Sequence, residues 1–270
     1  AHLKNKKPSL ILGVLGCMAQ NIKNDILENK PFVDLVLGPD SYRKLIDFIH
    51  DRKNKNSYID TRLSRYEVYD NLFPKRSDKG INAWVSIMRG CDKFCTFCIV
   101  PFTRGRERSK SINNILLEIH QAVSQGFCEI TLLGQNVNSY STEDGDFAYL
   151  LEQVALVPGV KRVRYTSPHP SDINEDVLYV MKKYDNICNH IHLPLQAGSS
   201  RILKRMNRTY TKDGFLSLVS KIKDIIPDCI LTTDIIVGFP GESKEDFQET
   251  LEVVKSVGFH SSFMFKYSIR

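Results

Sequence analysis

Six apolar segments alternate with amphipathic helices from Ala83 to the end of the chain, and this alternation constrains the fold more than any other feature. A series of β/α units forms a parallel sheet with right-handed crossovers. The sequence therefore predicts an α/β fold in which residues 83–270 form a partial (β/α)6 barrel. Its expected strands are Trp84–Met88, Glu129–Leu133, Arg162–Thr166, His190–Leu195, Ile230–Val237 and Ser262–Tyr267.

Helix signals support the same reading of the barrel. An apolar stripe from Ile112 to Val123 follows Ser111, a typical N-cap residue. Ser243 and Asp246 resemble a capping box for a helix that ends at Gly258. Ahead of the barrel, residues 9–50 predict a small α/β unit. It has strands at Leu10–Leu15 and Val33–Leu37 and helices over about 18–30 and 40–50.

Polar residues gather at the carboxyl ends of the expected strands, where barrels of this kind place their active sites. The first strand leads into a cysteine-rich loop, and the third into Ser167-Pro168-His169-Pro170. The sequence therefore predicts a functional site at these strand ends. The other strand-end segments are Gly134-Gln135-Asn136, Pro194-Leu195-Gln196 and Gly238-Phe239-Pro240-Gly241.

The cysteine loop carries Cys91, Cys95 and Cys98 in the spacing C-x-x-x-C-x-x-C. Three thiolates can hold three irons of a 4Fe–4S cluster and leave the fourth iron open to another ligand. A structural zinc loop is the alternative. Zinc, however, takes four ligands, usually in close pairs, and no histidine lies within this loop. The spacing favours the cluster.

With Phe97 directly before its last cysteine, this loop resembles the signature of the radical S-adenosylmethionine (SAM) superfamily. The resemblance implies that the amino and carboxylate groups of SAM chelate the open iron. It also implies that an electron from the cluster splits SAM into methionine and a 5′-deoxyadenosyl radical.

The strand-end residues supply candidates for binding SAM, although no catalytic residue is predicted. Glycine allows a ligand to approach the backbone, amides can bridge polar groups, and a carboxylate within a barrel needs a hydroxyl or a cation. For Arg208 and Asp234, a structural ion pair at the barrel rim is the alternative. The expected SAM contacts are Phe97, Gly134, Gln135, Asn136, Gln196, Arg208 and Asp234.

Cys17 stands apart from the remaining cysteines, Cys128, Cys188 and Cys229, which we interpret as small buried residues. The segment Gly16-Cys17-Met18-Ala19-Gln20 resembles the third cysteine of the methylthiotransferase N-terminal domain. In that domain three cysteines hold a second 4Fe–4S cluster. The resemblance therefore implies two clusters, with two further cysteine ligands upstream of Ala1.

Six motifs together resemble the MiaB-type tRNA methylthiotransferases. The resemblance implies methylthiolation of C2 of N6-isopentenyladenosine beside the anticodon. Related branches that act on threonylcarbamoyladenosine or on a ribosomal-protein aspartate are alternatives, as is a non-catalytic, metal-stapled RNA-binding module. The motifs are Gly16–Gln20, Cys91–Cys98 with Pro101–Gly105, Leu132–Asn138, Ser167–His169, His192–Gln196 and Gly238–Glu242.

The same resemblance implies a domain plan and partners. Residues 1–58 would be the C-terminal part of the methylthiotransferase N-terminal domain, 59–82 a linker and 83–270 the radical SAM core. A C-terminal TRAM domain is absent from the chain. The missing initiator methionine and the end directly after an apolar strand predict truncation on both sides. The implied partners are a tRNA anticodon stem-loop and a reductant such as flavodoxin or ferredoxin, acting on a monomer.

Charge and composition add two expectations. The net charge is +6, and the cations Arg104, Arg106, Arg108 and Lys110 follow the cysteine loop. They predict a phosphate-binding lip, with a solvated charged segment as the alternative. The chain has no run of 18 apolar residues and no visible signal peptide, and its seven cysteines suggest no disulfide framework. These features predict a cytoplasmic protein without a membrane span.

Overall fold

The computed structural model of the protein describes residues 2–50, 57–76 and 80–269. The chain forms two compact units. The first comprises described residues within 1–67, 90–92 and 99–106, and the second those within 68–89, 93–98 and 107–270. The predicted linker, 59–82, contains the change from one unit to the other, and its positions 77–79 lie outside the described residues. The predicted domain boundaries stay a prediction.

The first unit is a small α/β structure built on a parallel three-stranded sheet in the order β1-β2-β3. Val36 and Leu37 of its central strand are fully buried. Its strands are β1 (Gly13–Leu15), β2 (Leu35–Leu37) and β3 (Tyr58–Asp60). Its helices are α1 (His2–Lys6), α2 (Cys17–Ile22), α3 (Asn24–Asn29), α4 (Leu45–His50) and α5 (Val100–Arg104).

Several details of the first unit differ from the prediction, since α1 was not predicted and β1 and β2 are shorter than the expected strands at Leu10–Leu15 and Val33–Leu37. The helix expected over about 18–30 is two helices, because Lys23 adopts a left-handed backbone with φ of 51° between them. The expected linker begins inside β3, because Tyr58–Asp60 pairs with β2. Residues 51–56 lie outside the described residues.

The second unit confirms the predicted succession of parallel strands. Its two ladders have the orders β4-β7-β10 and β11-β12-β13, and every pairing within them is parallel. A bridge between Val163 and Ile187 joins the ladders. The strands thus follow one another in chain order, as in a partial (β/α)6 barrel. They are β4 (Asn82–Ser86), β7 (Glu129–Leu133), β10 (Arg162–Tyr165), β11 (His190–His192), β12 (Ile230–Val237) and β13 (Ser261–Lys266).

Helices and two short hairpins complete the second unit. The antiparallel pairs are β5 (Met88–Arg89) with β6 (Arg108–Ser109), and β8 (Ser141–Thr142) with β9 (Gly145–Asp146). The helices are α6 (Ile112–Ser124), α7 (Phe147–Ala155), α8 (Glu175–Lys183), α9 (Ser200–Arg205), α10 (Lys212–Ile225) and α11 (Lys244–Val257). One apolar core joins strands and helices, and Ile115, Ile119, Ile130, Leu132 and Leu193 are fully buried in it.

Local capping explains where two of these helices begin. The Ser111 hydroxyl accepts the N–H of Asn114 at the start of α6. At α11, Ser243 and Asp246 form the predicted capping box, and Gly258 ends the helix in a left-handed conformation. Both starts therefore follow from residues within one helical turn. No helix in the described ranges is long and apolar enough to cross a membrane.

Asp246 does more than cap its helix. Its buried carboxylate also accepts the hydroxyl of Ser199 at 2.6 Å and pairs with Arg201. These contacts, that of Arg201 first, hold the pKa of Asp246 well below its ordinary value. The carboxylate therefore stabilises the fold above the unfolded pKa near 3.9, and this contribution is lost as the pH falls through the lower folded pKa.

We expect Asp246→Asn to lower the free energy of unfolding at pH 7 by about 2 kcal/mol, because hydrogen bonds to a charged group are lost. The difference from wild type should narrow below about pH 4, where the Asp246 carboxylate of the unfolded chain begins to protonate while that of the folded protein stays ionised. Urea unfolding at pH 7 and pH 3 measures both effects. Asp213→Asn, at an exposed position in the first turn of α10, is the matched control and should change stability by less than about 0.5 kcal/mol. A constant difference across pH would contradict the assignment.

Candidate functional site

Left-handed backbone conformations mark the predicted site in the second unit. Outside glycine, such conformations are uncommon and cost free energy, and they cluster at functional sites. Here they occur in the cysteine loop, in the loops after β10 and β11, and at the end of α9. The residues are Phe94, Ser167, Gln196 and Asn207, with φ values of 48°, 57°, 65° and 56°.

The part of the cysteine loop within residues 93–98 is held by the carboxyl end of α9. The Asn207 amide donates to the carbonyl oxygens of Lys93 and Phe94, at 3.2 and 3.0 Å. Thr96 donates its N–H to Met206 O and its hydroxyl to Arg205 O, both at 3.1 Å. The backbone that presents Cys95 and Cys98 is therefore fixed by hydrogen bonds from outside the loop.

A buried polar network joins three strand-end loops of the second unit. Asp172 accepts Lys93 Nζ and Asn136 Nδ2, each at 2.6 Å. The Asn136 amide oxygen accepts the N–H of His169 at 3.1 Å, and its nitrogen lies 3.4 Å from Glu107 Oε1. The amide of Asn136, 1% exposed, is thus used by the protein itself. Its described role is to position loops.

His169 sits at the centre of this network as a neutral side chain. It is 6% exposed, and burial, with the positive charges of Arg208 and Lys93, lowers its pKa to about 3. Its Nδ1 accepts the N–H of Ser171, which places the remaining proton on Nε2. Among the described residues, Nε2 has no hydrogen-bond partner. The Nε2–H of His169 is therefore a buried donor, and the His169 ring lies beside the Tyr210 ring, with centroids 5.8 Å apart.

Arg208 reaches a predicted cluster ligand directly. Its Nη1 donates to Cys95 Sγ at 3.3 Å, Nη2 to Pro194 O at 3.3 Å and Nε to the Tyr210 hydroxyl at 3.0 Å. Burial opposes its charge, but Tyr210 and Cys95 outweigh burial and raise the pKa of the guanidinium. The alternative to SAM binding, an Arg208–Asp234 ion pair, does not form between these two described residues; Asp234 instead lies 3.2 Å from His192 Nε2.

The remaining predicted SAM contacts occupy neighbouring strand ends. Gln196 bridges to β12 through its backbone, donating to Asp234 O at 2.8 Å. Phe97 packs on the apolar cluster around Ala197 and Met206. A Cβ at Gly134 would lie 2.6 Å from Met88 Cγ, so packing alone requires glycine there. Gln135 is half-buried. The structure gathers these residues at the strand ends, while their contacts with SAM stay predictions.

Two predicted iron ligands belong to the first unit. Cys17 is the first residue of α2, directly after Gly16, whose φ is 108°. The N–H of Cys91 donates to Gly105 O at 3.2 Å. A Cβ at Gly90 would lie 1.9 Å from Arg106 O, so only glycine allows this close approach. In the described parts of the chain, no three His, Cys, Asp or Glu side chains are grouped as ligands of a single metal ion. None of the seven cysteines, all of which lie in the described ranges, forms a disulfide.

The predicted phosphate-binding lip is wrong for two of its four cations. Lys110 is 4% exposed and donates to Glu118 Oε2 at 2.9 Å, and Arg108 is 7% exposed. A buried ammonium that is already paired cannot meet a phosphate. Arg106 pairs with Asp92 at 3.4 Å and remains exposed. The sequence shows these positive charges, but it does not show that Glu118 on α6 pairs with Lys110.

The residues that sequence reasoning passed over are Lys93, Asp172 and Tyr210. Asp172 follows the strand-end segment Ser167–Pro170 by two positions, and Tyr210 follows Arg208 by two. Proximity to a predicted site residue was therefore the only local signal. Their importance comes from contacts between loops that are far apart in sequence, such as Lys93 with Asp172.

Comparison with known proteins places these observations in context. The sequence profile of the Radical SAM superfamily matches residues 85–254. Proteins from Parabacteroides distasonis and Acetivibrio thermocellus named tRNA-2-methylthio-N(6)-dimethylallyladenosine synthase are 50% and 46% identical to this chain, over 99% of it. The chain spans 60% and 57% of their lengths.

A structural comparison supports the fold alone. The structure of the cobalamin-dependent S-adenosylmethionine radical enzyme OxsB with aqua-cobalamin and S-adenosylmethionine bound superimposes with a TM-score of 0.71. The match covers 94% of this chain and 40% of that chain, at 14% sequence identity.

We expect Asp172→Ala to lower the free energy of unfolding by about 2 kcal/mol, because it leaves the buried Asn136 amide and Lys93 without their acceptor. Glu175→Ala is the matched control: its pair with Lys221 is half exposed and should contribute less than about 1 kcal/mol. Chemical denaturation of both variants measures the difference. Equal losses would show that Asp172 does not organise the loops.

Proposed function

The chain belongs to the radical SAM superfamily, and from that premise we propose that it is the catalytic part of a tRNA methylthiotransferase. The proposed reaction converts C2 of N6-isopentenyladenosine, next to the anticodon, to its 2-methylthio derivative. The observation that carries this proposal is the 46–50% identity, over 99% of the chain, with proteins named tRNA-2-methylthio-N(6)-dimethylallyladenosine synthase. Because the chain spans under two thirds of those relatives, the activity of the whole protein is part of the proposal.

Cys91, Cys95 and Cys98 are the proposed ligands of a 4Fe–4S cluster. The donor set fits that group, because soft thiolates prefer iron–sulfur clusters. The Arg208 guanidinium donates a hydrogen bond to Cys95 Sγ at 3.3 Å, and hydrogen bonds to the ligand sulfurs are one of the ways in which proteins tune iron–sulfur clusters. When bound, the cluster and SAM supply the one-electron chemistry that removes a hydrogen atom from carbon.

The described contacts support a positioning role for several protein groups. Asn207 and the end of α9 hold the loop of Cys95. The network around Asp172 holds the loops of Asn136 and His169. Preorganised loops of this kind spare the site the cost of ordering at the moment of reaction. A neutral, buried His169 adds a hydrogen-bond donor, Nε2–H, that no described residue uses.

For SAM itself we propose the contacts expected from the sequence, with one refinement. Phe97, Gly134, Gln135, Gln196 and Asp234 would line its site, together with Arg208. Asn136 would act through the loops that it positions, because its amide is already bonded to Asp172 and His169.

A second cluster in the first unit would use Cys17. The thiol is free and half-buried, at the start of α2. Two further cysteines from outside this chain would complete its ligands. We further propose the anticodon stem-loop as the RNA partner, flavodoxin or ferredoxin as the reductant, a monomeric state and a cytoplasmic location.

Mass spectrometry of tRNA nucleosides tests the substrate. We expect cells that lack the gene to lose 2-methylthio-N6-isopentenyladenosine and to accumulate the unmodified isopentenyladenosine, and restored expression of the gene should reverse both changes. Loss of the methylthio group from threonylcarbamoyladenosine or from a ribosomal-protein aspartate instead would refute the substrate assignment. A colourless, zinc-containing protein after anaerobic purification would favour the metal-stapled binding module and refute catalysis.

Arg208→Gln tests the cluster independently of turnover. Hydrogen bonds and positive charge at a cysteine sulfur favour the reduced cluster. Removing both should therefore make the reduction potential more negative. We expect about a tenfold smaller ratio of reduced to oxidised cluster at a fixed potential, equivalent to about 59 mV for one electron. Electron paramagnetic resonance at poised potentials measures this shift in reconstituted protein.

The matched control for this experiment is Arg205→Gln, an exposed cation three positions earlier in the same segment. Its side chain makes no hydrogen bond to a cysteine sulfur among the described contacts, so the potential should stay at the wild-type value. A wild-type potential in Arg208→Gln would contradict a role for Arg208 at the cluster. Wild-type protein that takes up no iron would contradict the cluster itself.

A further inference from the structure

A cavity of about 880 Å³ opens in the second unit between the loop after β10, helix α9 and the first turns of α10. Its volume lies in the range of small-molecule and cofactor sites. Pro170 and Ser171 line one side, and residues of α9 and α10 line the other. Arg208, one of the proposed SAM contacts, lines this cavity, but its other lining residues are neither proposed cluster ligands nor proposed SAM contacts.

The charged side chains that line the cavity are all cations: Arg201, Lys204 and Arg208. Among the described lining residues, none carries a carboxylate. Asp246, which lies behind Arg201, offsets that charge through the ion pair, while Arg208 is directed to Cys95. Lys204 is exposed, and its side-chain ammonium forms no ion pair or hydrogen bond with the described residues. The uncompensated charge at the mouth is therefore that of Lys204.

Two hydroxyl groups of the cavity can donate a hydrogen bond to a ligand, because each already accepts one from the backbone. Ser200 Oγ accepts the N–H of Lys212 at 3.0 Å, and Thr211 Oγ1 accepts that of Gly214 at 3.2 Å. Each oxygen keeps its own O–H for another acceptor. Cations and O–H donors together complement a group that only accepts hydrogen bonds, such as a phosphate.

The floor of the cavity is apolar and aromatic. The half-buried Tyr210 ring forms its aromatic surface, and Phe215, which is only 1% exposed, supports that ring with ring centroids 5.9 Å apart. Leu218 and Pro170 extend this floor. An apolar aromatic floor under a cationic rim suits a nucleotide unit, whose base or ribose packs on the rings while its phosphate meets the cations.

We propose that this cavity binds a phosphodiester of single-stranded RNA together with its neighbouring nucleoside. The inference rests on the proposed function, because it supplies the RNA. Arg208 lines the cavity and also donates to Cys95 Sγ, so a nucleotide held there lies one side chain away from a proposed cluster ligand. Lys204 is the phosphate contact, and Ser200 and Thr211 are supporting donors.

Fluorescence anisotropy with a labelled anticodon stem-loop tests the site on the full chain. Each phosphate contact on single-stranded RNA adds about 0.7 to the salt slope of log K. We therefore expect Lys204→Ala to reduce the slope by about 0.7 between 50 and 250 mM salt and to weaken binding about fivefold at about 0.1 M. Lys204→Glu should weaken binding further, and Lys204→Arg should restore it.

Lys161→Ala is the matched control. Lys161 is equally exposed but precedes β10, at the opposite, amino end of the strands. Its variant should keep the wild-type slope and affinity. Since Lys204 and Lys161 are both exposed, their replacement leaves the apolar core intact.

The outcomes separate this inference from the proposed function. Wild-type protein that binds no anticodon stem-loop would count against the proposed function. Wild-type binding with unchanged slopes in Lys204→Ala and Lys204→Glu would overturn the cavity assignment alone. A Lys204 variant that loses inorganic phosphate, measured by calorimetry, but keeps its RNA affinity would identify a free-phosphate site and also overturn the assignment.

Discussion

The carboxylate of Asp172 is the interaction on which the arrangement of the strand ends depends. It accepts Lys93 from the cysteine loop and Asn136 from the loop after β7, each at 2.6 Å. Asn136 in turn accepts the backbone N–H of His169. Parallel strands bring these loops to one edge, but the strands alone do not fix their conformations. The Asp172 carboxylate fixes these conformations because it accepts hydrogen bonds from two loops at once. An acceptor that is largely removed from water must keep its donors.

Strain and burial at this edge point in the same direction. Left-handed conformations occur at Phe94, Ser167, Gln196 and Asn207. Hydrogen bonds made by Asn207 and Gln196 hold these two residues in place. The buried Nε2–H of His169 has no hydrogen-bond partner among the described residues. A fold whose only requirement was stability would relax such features. Their concentration at the strand ends is consistent with a ligand that uses the donor and repays the strain.

The sequence predicted what depends on local pattern and missed what depends on long-range pairing. Glu129–Leu133 and Ile230–Val237 are strands with the expected bounds, because apolar runs between turn residues define them. The Ser243 capping box lies within one helical turn and was equally visible. Lys110 was misread as a surface cation because Glu118 meets it only after a strand and a helix have folded together. Asn136 was read as a ligand contact because its partner Asp172 is 36 positions away.

The same distinction explains where positive charge is available to RNA. The net charge of +6 does not show which cations can bind RNA, because several of them already form ion pairs. Arg76 and Lys110 both pair with Glu118, and Lys93 pairs with Asp172. A cation is available to bind RNA only if it lacks a carboxylate partner and lies beside an apolar surface. Lys204, which lines the same cavity as Tyr210 and Leu218, meets both conditions, whereas the cations at every second position from Arg104 to Lys110 do not meet them as a group. Phosphate contacts position an RNA without reading its bases. In the proposed reaction, selection of the target adenosine would therefore fall to the strand-end loops, which Asp172 connects.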